Sequence, residues 1–168
     1  APSRGLGDVY KRQDLASIAS NIYANSWKVA YSGIVPQKYL NELSPERWTP
    51  ILENTKHKCF MLQDNGIFVA TSSIVTARDK NYSDYGEIAS IYVLPEYFRK
   101  GYGKKLFEFM TEKLRSEGYK KIYLWVLEEN LNARRFYEKM GFRPNGDKKL
   151  CRIACKDLIE VCYTNVNL

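Results

Sequence analysis

Val93-Leu-Pro-Glu-Tyr-Phe-Arg-Lys-Gly-Tyr-Gly-Lys-Lys105 takes the chain out of a strand and into a helix through one short glycine loop. Upstream, Glu87 to Leu94 reads as a strand that Pro95 ends. Downstream, Leu106, Phe107, Met110 and Leu114 fall at i, i+1, i+4 and i+8, which is one apolar helical face, and Gly118 caps it. A helix N-terminus leaves up to about four backbone N–H groups unpaired and carries roughly half a positive charge. Gly101 and Gly103 have no Cβ, so a diphosphate can approach the backbone, and Arg99, Lys100, Lys104 and Lys105 add positive charge. A plain tight turn reads the same way. Two nucleotide motifs do not fit. A Walker loop needs glycine where Phe98 stands and Ser or Thr where Lys105 stands, and a dinucleotide fingerprint needs glycine at Leu106.

Working outward, Asp14 is the expected N-cap of a helix that carries Leu15, Ile18, Ala19 and Ile22 and runs to about Tyr31. Pro36 opens a second helix with Tyr39, Leu40 and Leu43, and Ser44-Pro45 and Thr49-Pro50 punctuate a third. Cys59 to Leu62 and Ile67 to Val75 read as strands around the turn Asp64-Asn65-Gly66, because Asn and Gly accept positive φ. Ile122 to Leu127 is a buried strand, Leu131 to Met140 a short helix closed by Gly141, and Leu158 to Tyr163 a last strand. The stretch Arg78 to Asp84 is polar and loop-like. This order predicts one α/β (α+β) domain, a mixed sheet with helices on both faces.

Composition narrows the function classes. The 168 residues suit one domain, and 45% apolar content suffices for a core. No apolar run reaches the ~18 residues of a membrane span, and no signal-like apolar region is seen. Cys59, Cys151, Cys155 and Cys162 form no C-x-x-C pair and His57 is the only histidine, so no metal site is read. Cys151, Cys155 and Cys162 lie in apolar, strand-like stretches and read as small core residues, which suits a reducing cytoplasm. The net charge of +7 favours an anionic partner. No nucleic-acid reading motif accompanies it, so a multiply phosphorylated cofactor is the narrower candidate. Asp8-Val-Tyr-Lys-Arg-Gln13 is similar to a translated transposon end used in sequencing-library preparation. Residues 1–13 are therefore read as a non-native or disordered segment and 14–168 as the functional domain. Val9-Tyr-Lys-Arg12 is expected to imitate a first strand.

The loop resembles the GNAT signature Q/R-x-x-G-x-G/A at Gly101 and Gly103, with Phe98 where Gln or Arg is usual. Asn130-Leu-Asn-Ala-Arg-Arg-Phe-Tyr-Glu-Lys-Met-Gly-Phe142 is similar to the second signature, N-x-x-A-x-x-F-Y-x-K-x-G-F, at every fixed position. On these residues the chain resembles the GNAT superfamily of acetyl-CoA-dependent N-acetyltransferases. The resemblance implies a mostly antiparallel sheet in which one parallel strand pair splays. The pyrophosphate of acetyl-CoA would lie on Arg99, Lys100, Gly101, Tyr102, Gly103 and Lys104, and the pantetheine arm would meet the backbone of Ile91, Tyr92 and Val93. Asn130, Asn132, Phe136 and Tyr137 complete the cofactor-binding set. Asn130 would either cap its helix or bond a ligand amide.

The implied reaction is direct attack of a neutral amine on the thioester through a tetrahedral intermediate. Tyr137 would hydrogen-bond the departing thiolate or deliver its proton, and Glu87 is the leading base. Strict alternation would set Glu87, Ala89, Ile91 and Val93 on one face. A surface carboxylate at a strand start is the other reading of Glu87. In relatives that acetylate ribosomal N-termini, a glutamate stands five residues before the motif asparagine; here that residue is Trp125. Trp27, Tyr31, Tyr82, Tyr85 and Trp125 are candidates for the acceptor pocket, and Arg134, Arg135 and Lys139 for the 3′-phosphate. The acceptor is expected to be a small-molecule or peptide amine, with a homodimer compatible. A GNAT-fold module that binds acyl-CoA without catalysis is the alternative.

Overall fold

The computed structural model describes residues 6–8 and 13–166. The elements are β1 (Leu6–Asp8), α1 (Gln13–Ala30), α2 (Gln37–Asn41), α3 (Thr49–Asn54), β2 (Lys58–Asp64), β3 (Ile67–Thr76), β4 (Gly86–Val93), α4 (Tyr102–Ser116), β5 (Ile122–Leu127), α5 (Leu131–Lys139), β6 (Arg143–Ile153) and β7 (Lys156–Thr164). Ala19, Ile22, Tyr23 and Ser26 form the buried stripe of α1, which lies on one face of the sheet. Leu106, Phe107, Met110 and Leu114 turn α4 onto the other face, where the largest apolar core forms with Ile88, Ile122, Leu124 and Val126.

The seven strands run in the order β1-β2-β3-β4-β5-β7-β6, and only β4 and β5 are parallel neighbours. Those two strands touch at Gly86↔Ile122 and Glu87↔Tyr123 and nowhere beyond, although β4 runs on to Val93 and β5 to Leu127. The cause is local. Ser73 pairs with Ser90 but Ile74 pairs with Ile88, so Ala89 is an extra, unpaired residue. Such a bulge bends the strand and raises its twist. Past it, β4 is tied to α1: the Ser26 hydroxyl donates to the Val93 carbonyl at 2.6 Å, and the Tyr23 and Ser90 hydroxyls lie 2.8 Å apart. On the far side of the gap, β7 holds β5 from Tyr123 to Leu127.

The bulge also corrects the face expected for Glu87. Ile88, Ile91 and Val93 pack on the α4 side, whereas Ser90 and Tyr92 reach α1 residues. Glu87 stands opposite to its neighbour Ile88, so it does not share a face with Ile91 and Val93.

Other differences have simple causes. The polar run from Arg143 to Ile153 is a strand, but an edge strand, interrupted by a bulge between Pro144 and Lys148 and mostly exposed. Cys155 is no core residue: it sits exposed with Ala154 in the β6–β7 turn, both at positive φ. Cys151 is half-buried, Cys162 is buried, and all four cysteines are free thiols. Asp14 lies inside α1 rather than before it. The described N-terminal strand is Leu6–Asp8 on β2, and the imitation strand expected at 9–12 lies outside the described residues. Among the described residues, no helix is long and apolar enough to cross a membrane.

Candidate active site

The glycine loop opens at the mouth of the β4–β5 gap. Phe98 N–H bonds the Pro95 carbonyl and Lys105 N–H bonds the Gly101 carbonyl. The six N–H groups between them, from Arg99 to Lys104, have no acceptor among the described residues. Arg99 and Gly101 hold positive φ, 61° and 85°. Backbone that alternates between left- and right-handed conformations is the kind that presents consecutive N–H groups to an anion. A Cβ on Gly101 would meet nothing within 4 Å, so that face is open. A Cβ on Gly103 would instead touch Phe136 at 3.5 Å and Val93 at 3.7 Å, so this glycine faces inward. Lys100 and Lys104 are exposed; Lys100 lies 5.4 Å over the Tyr97 ring, and the Tyr102 hydroxyl bonds Asp64.

Inside the gap, backbone direction follows from one bond. Leu94 N–H donates to the Val69 carbonyl at 2.8 Å, toward β3. Antiparallel alternation turns Tyr92 the same way and turns Ile91 and Val93 toward the gap. The structure thus brings Ile91 and Val93 to the opening, with the Val93 carbonyl already accepting from Ser26. Tyr92 spends its backbone on the sheet and packs its ring 4.6 Å from Tyr23.

Across the gap, α5 carries Tyr137, which is 9% exposed and ringed by Phe107, Phe136 and Tyr163. Its hydroxyl makes no hydrogen bond within the described residues. Burial first, then the nearby Tyr92, push its pKa far above the ordinary phenol value, so it keeps its proton. Asn130 is buried and caps α5, its side-chain oxygen accepting from Ala133 N–H at 3.3 Å. Asn132 is exposed beside Arg135. Arg134, a 3′-phosphate candidate, already donates through Nε to the Tyr163 hydroxyl at 3.0 Å and through one NH2 group to the Glu128 carbonyl at 2.9 Å.

Glu87 is only 2% exposed. Arg78 grips it through Nε (3.2 Å), its guanidinium NH2 group (2.5 Å) and its backbone N–H (3.1 Å), and the Tyr123 hydroxyl donates at 2.8 Å. Burial works to raise its pKa, but the Arg78 contacts win and hold it below the ordinary carboxylate value. A depressed folded pKa stabilises the protein above the unfolded value, and that stability is lost as pH falls through the folded one. Arg78→Ala is therefore expected to lower stability near pH 7 by about 1–2 kcal/mol, at the low end because Arg78 is largely exposed. The difference from wild type should shrink in acid, as urea midpoints at the two pH values would show. An equal loss at both would mean the contact is not electrostatic.

Beside Glu87 lies a cavity of about 490 Å³, lined by Ala89, Tyr123, Trp125, Lys149 and Glu160 among others. Of the aromatic candidates, Trp125 lines it. Tyr82 is buried against Tyr123 and bonded to Asp147, Tyr85 packs edge-on against both Tyr82 and Tyr123, and Trp27 and Tyr31 pack together 4.7 Å apart. Sequence reasoning missed Arg78, Tyr123, Lys149 and Glu160. A period-2 alternation of β5 around Trp125 was the only signal for Tyr123, and the strand register that gathers the others is not local.

The acetyltransferase (GNAT) family model matches residues 21–142. The uncharacterized N-acetyltransferase YuaI of Bacillus subtilis is 30% identical over 122 residues, 71% of this chain and 70% of that protein. The spermidine N(1)-acetyltransferase of Thermoplasma acidophilum is 26% identical over 78% of this chain and 83% of its own. The crystal structure of the PaiA N-acetyltransferase from Thermoplasma acidophilum in complex with coenzyme A superposes with a TM-score of 0.67 at 19% identity, covering 93% of this chain and 97% of that one. With the splayed sheet and both signatures in place, the chain belongs to the acetyltransferase (GNAT) family and is an acetyl-CoA-dependent N-acetyltransferase.

Proposed function

We propose that the enzyme transfers the acetyl group directly to a primary amine held in the cavity beside Glu87. The observation that carries this reading is the β4 edge left unpaired beyond Glu87, with six free amides at its mouth. Acetyl-CoA supplies an activated acetyl thioester. The amides of 99–104, with Lys100 and Lys104, are suited to its diphosphate, and Gly101 leaves room for it. Ile91 and Val93 offer their backbone as a partner strand for the pantetheine amides, and an N–H there stabilises developing negative charge on the acetyl oxygen. The amide nitrogen of Asn130 remains for a ligand while its oxygen caps α5. Tyr137 donates to the departing sulfur.

Glu87 stays ionised at neutral pH but, with both oxygens engaged by Arg78 and Tyr123, is a weakened base, so the amine proton leaves through water and Glu87 favours its departure only through its negative charge. The spermidine-acetylating relative supports a small-molecule amine as acceptor. The test is thiol release from acetyl-CoA across a panel of primary amines, with mass spectrometry of the products. An acetylated amine is the expected outcome. Absence of acetyl-CoA binding by calorimetry together with no thiol release would end the proposal.

A further inference from the structure

We propose that the cavity holds a second cation subsite, formed by the Trp125 ring and the Glu160 carboxylate, and that the acceptor is accordingly a linear di- or polyamine. This rests on the transferase reading above. In the free protein the subsite is filled by the chain's own ammonium group. Lys149 Nζ lies 4.4 Å from the centre of the Trp125 ring and 4.0 Å from Glu160 Oε1. Strand register builds this arrangement. Lys149 on β6 stands directly opposite Glu160 on β7, Glu160 stands opposite Leu127 on β5, and Trp125 is two residues along β5 on the same face.

The three partners are not equivalent. The Glu160 side chain is 22% exposed and the Lys149 side chain 46%, so the carboxylate is the sheltered, fixed member and the lysine the outer, replaceable one. Lys149 projects from an edge strand whose side chains are mostly exposed. Glu87 cannot serve as this anion because Arg78 and Tyr123 already occupy both of its oxygens. Among the described residues, Glu160 has Lys149 as its one ion-pair partner.

The cavity lining offers a group for each end of a diamine. Ala89 and Glu87 line it at the β4–β5 gap, and Trp125, Lys149 and Glu160 line it away from the gap. The reacting amine sits at the first end, and the distal ammonium displaces Lys149 at the second. A ring face plus a carboxylate is the pairing that binds an ammonium without demanding its deprotonation. When no acceptor is bound, Lys149 keeps Glu160 compensated. A monoamine leaves Lys149 in place and gains nothing from the subsite.

The experiment compares kcat/KM for 1,4-diaminobutane, n-butylamine and 4-aminobutyrate in the wild type and in Glu160→Gln, Trp125→Leu, Trp125→Phe and Lys149→Met, each checked for folding by thermal melting. Wild type is expected to prefer the diamine. Glu160→Gln should cut the diamine-to-monoamine ratio by about tenfold, and Trp125→Leu by about threefold, with Trp125→Phe recovering most of that loss. Lys149→Met should raise the ratio by about threefold, because the competing internal cation is gone. A ratio unmoved by Glu160→Gln and Trp125→Leu, while thiol release continues, would overturn the subsite alone. So would a lead for 4-aminobutyrate that Lys149→Met abolishes, since Lys149 would then be an anion ligand. No thiol release from the diamine by a wild type that binds acetyl-CoA would overturn the subsite alone; no release from any amine together with no acetyl-CoA binding by calorimetry would sink the transferase reading with it.

Discussion

Tyr137→Phe is expected to lower kcat by about a hundredfold while leaving the melting temperature within about 1 °C of wild type. The two halves of this expectation have one source. The Tyr137 hydroxyl bonds nothing in the described protein, so removing it breaks no internal contact. Its ring, packed against Phe107, Phe136 and Tyr163, is kept by Phe. What disappears is the donor that the proposed mechanism sets beside the departing sulfur. Burial holds its pKa far above that of a thiol, so full proton delivery to a thiolate would run uphill. On the proposed mechanism the hydroxyl acts as a hydrogen-bond donor to developing negative charge, worth about 2–3 kcal/mol, which sets the hundredfold figure. The loss should fall on kcat, with acetyl-CoA affinity intact by calorimetry. Unchanged kcat would reduce Tyr137 to a packing residue, and a large drop in melting temperature would reveal a hidden internal bond.

The parts of the site written in local sequence were legible; the parts set by strand register were not. The apolar face of α4, the Asn65-Gly66 turn and the Asn130–Phe142 signature each carry their meaning within a few residues, and the elements built on them stand where expected. Gly86-Glu-Ile-Ala-Ser90 contains nothing that marks a bulge, since Ala89 is unremarkable in a strand. Yet that one unpaired residue turns Glu87 away from Ile91 and Val93 and into the Tyr123 cavity. The same limit hid Glu160 and Lys149, whose meeting with Trp125 depends on how three strands align. It also hid Arg78, exposed in a stretch that reads as a polar loop, which is the residue that pairs with Glu87. β6 escaped because its polar run, Pro144 and Asn145-Gly146 look like a loop, and an edge strand needs no apolar alternation.

Gly101 and Gly103 match the same signature, but the structure separates their duties, and this yields the second large effect. Gly101→Ala is expected to weaken acetyl-CoA binding by about a hundredfold. In the free protein its new Cβ touches nothing within 4 Å, so the methyl does not strike the fold, and on the proposed binding mode it fills the space a phosphate needs. The φ of 85° also disfavours any side chain, at a cost of about 1 kcal/mol in stability. Gly103→Ala differs on both counts. Its φ is not in the left-handed region, and its Cβ meets Phe136 and Val93 at ordinary contact distances on the inner side. Alanine in the first turn of α4 should keep or slightly raise stability and cost binding only about threefold or less. Calorimetric titration with acetyl-CoA, paired with thermal melts of both variants, separates the two. Equal, severe losses of affinity would mean that both glycines face the diphosphate. Full affinity in Gly101→Ala would mean that the six unpaired amides of the loop are not where the cofactor rests.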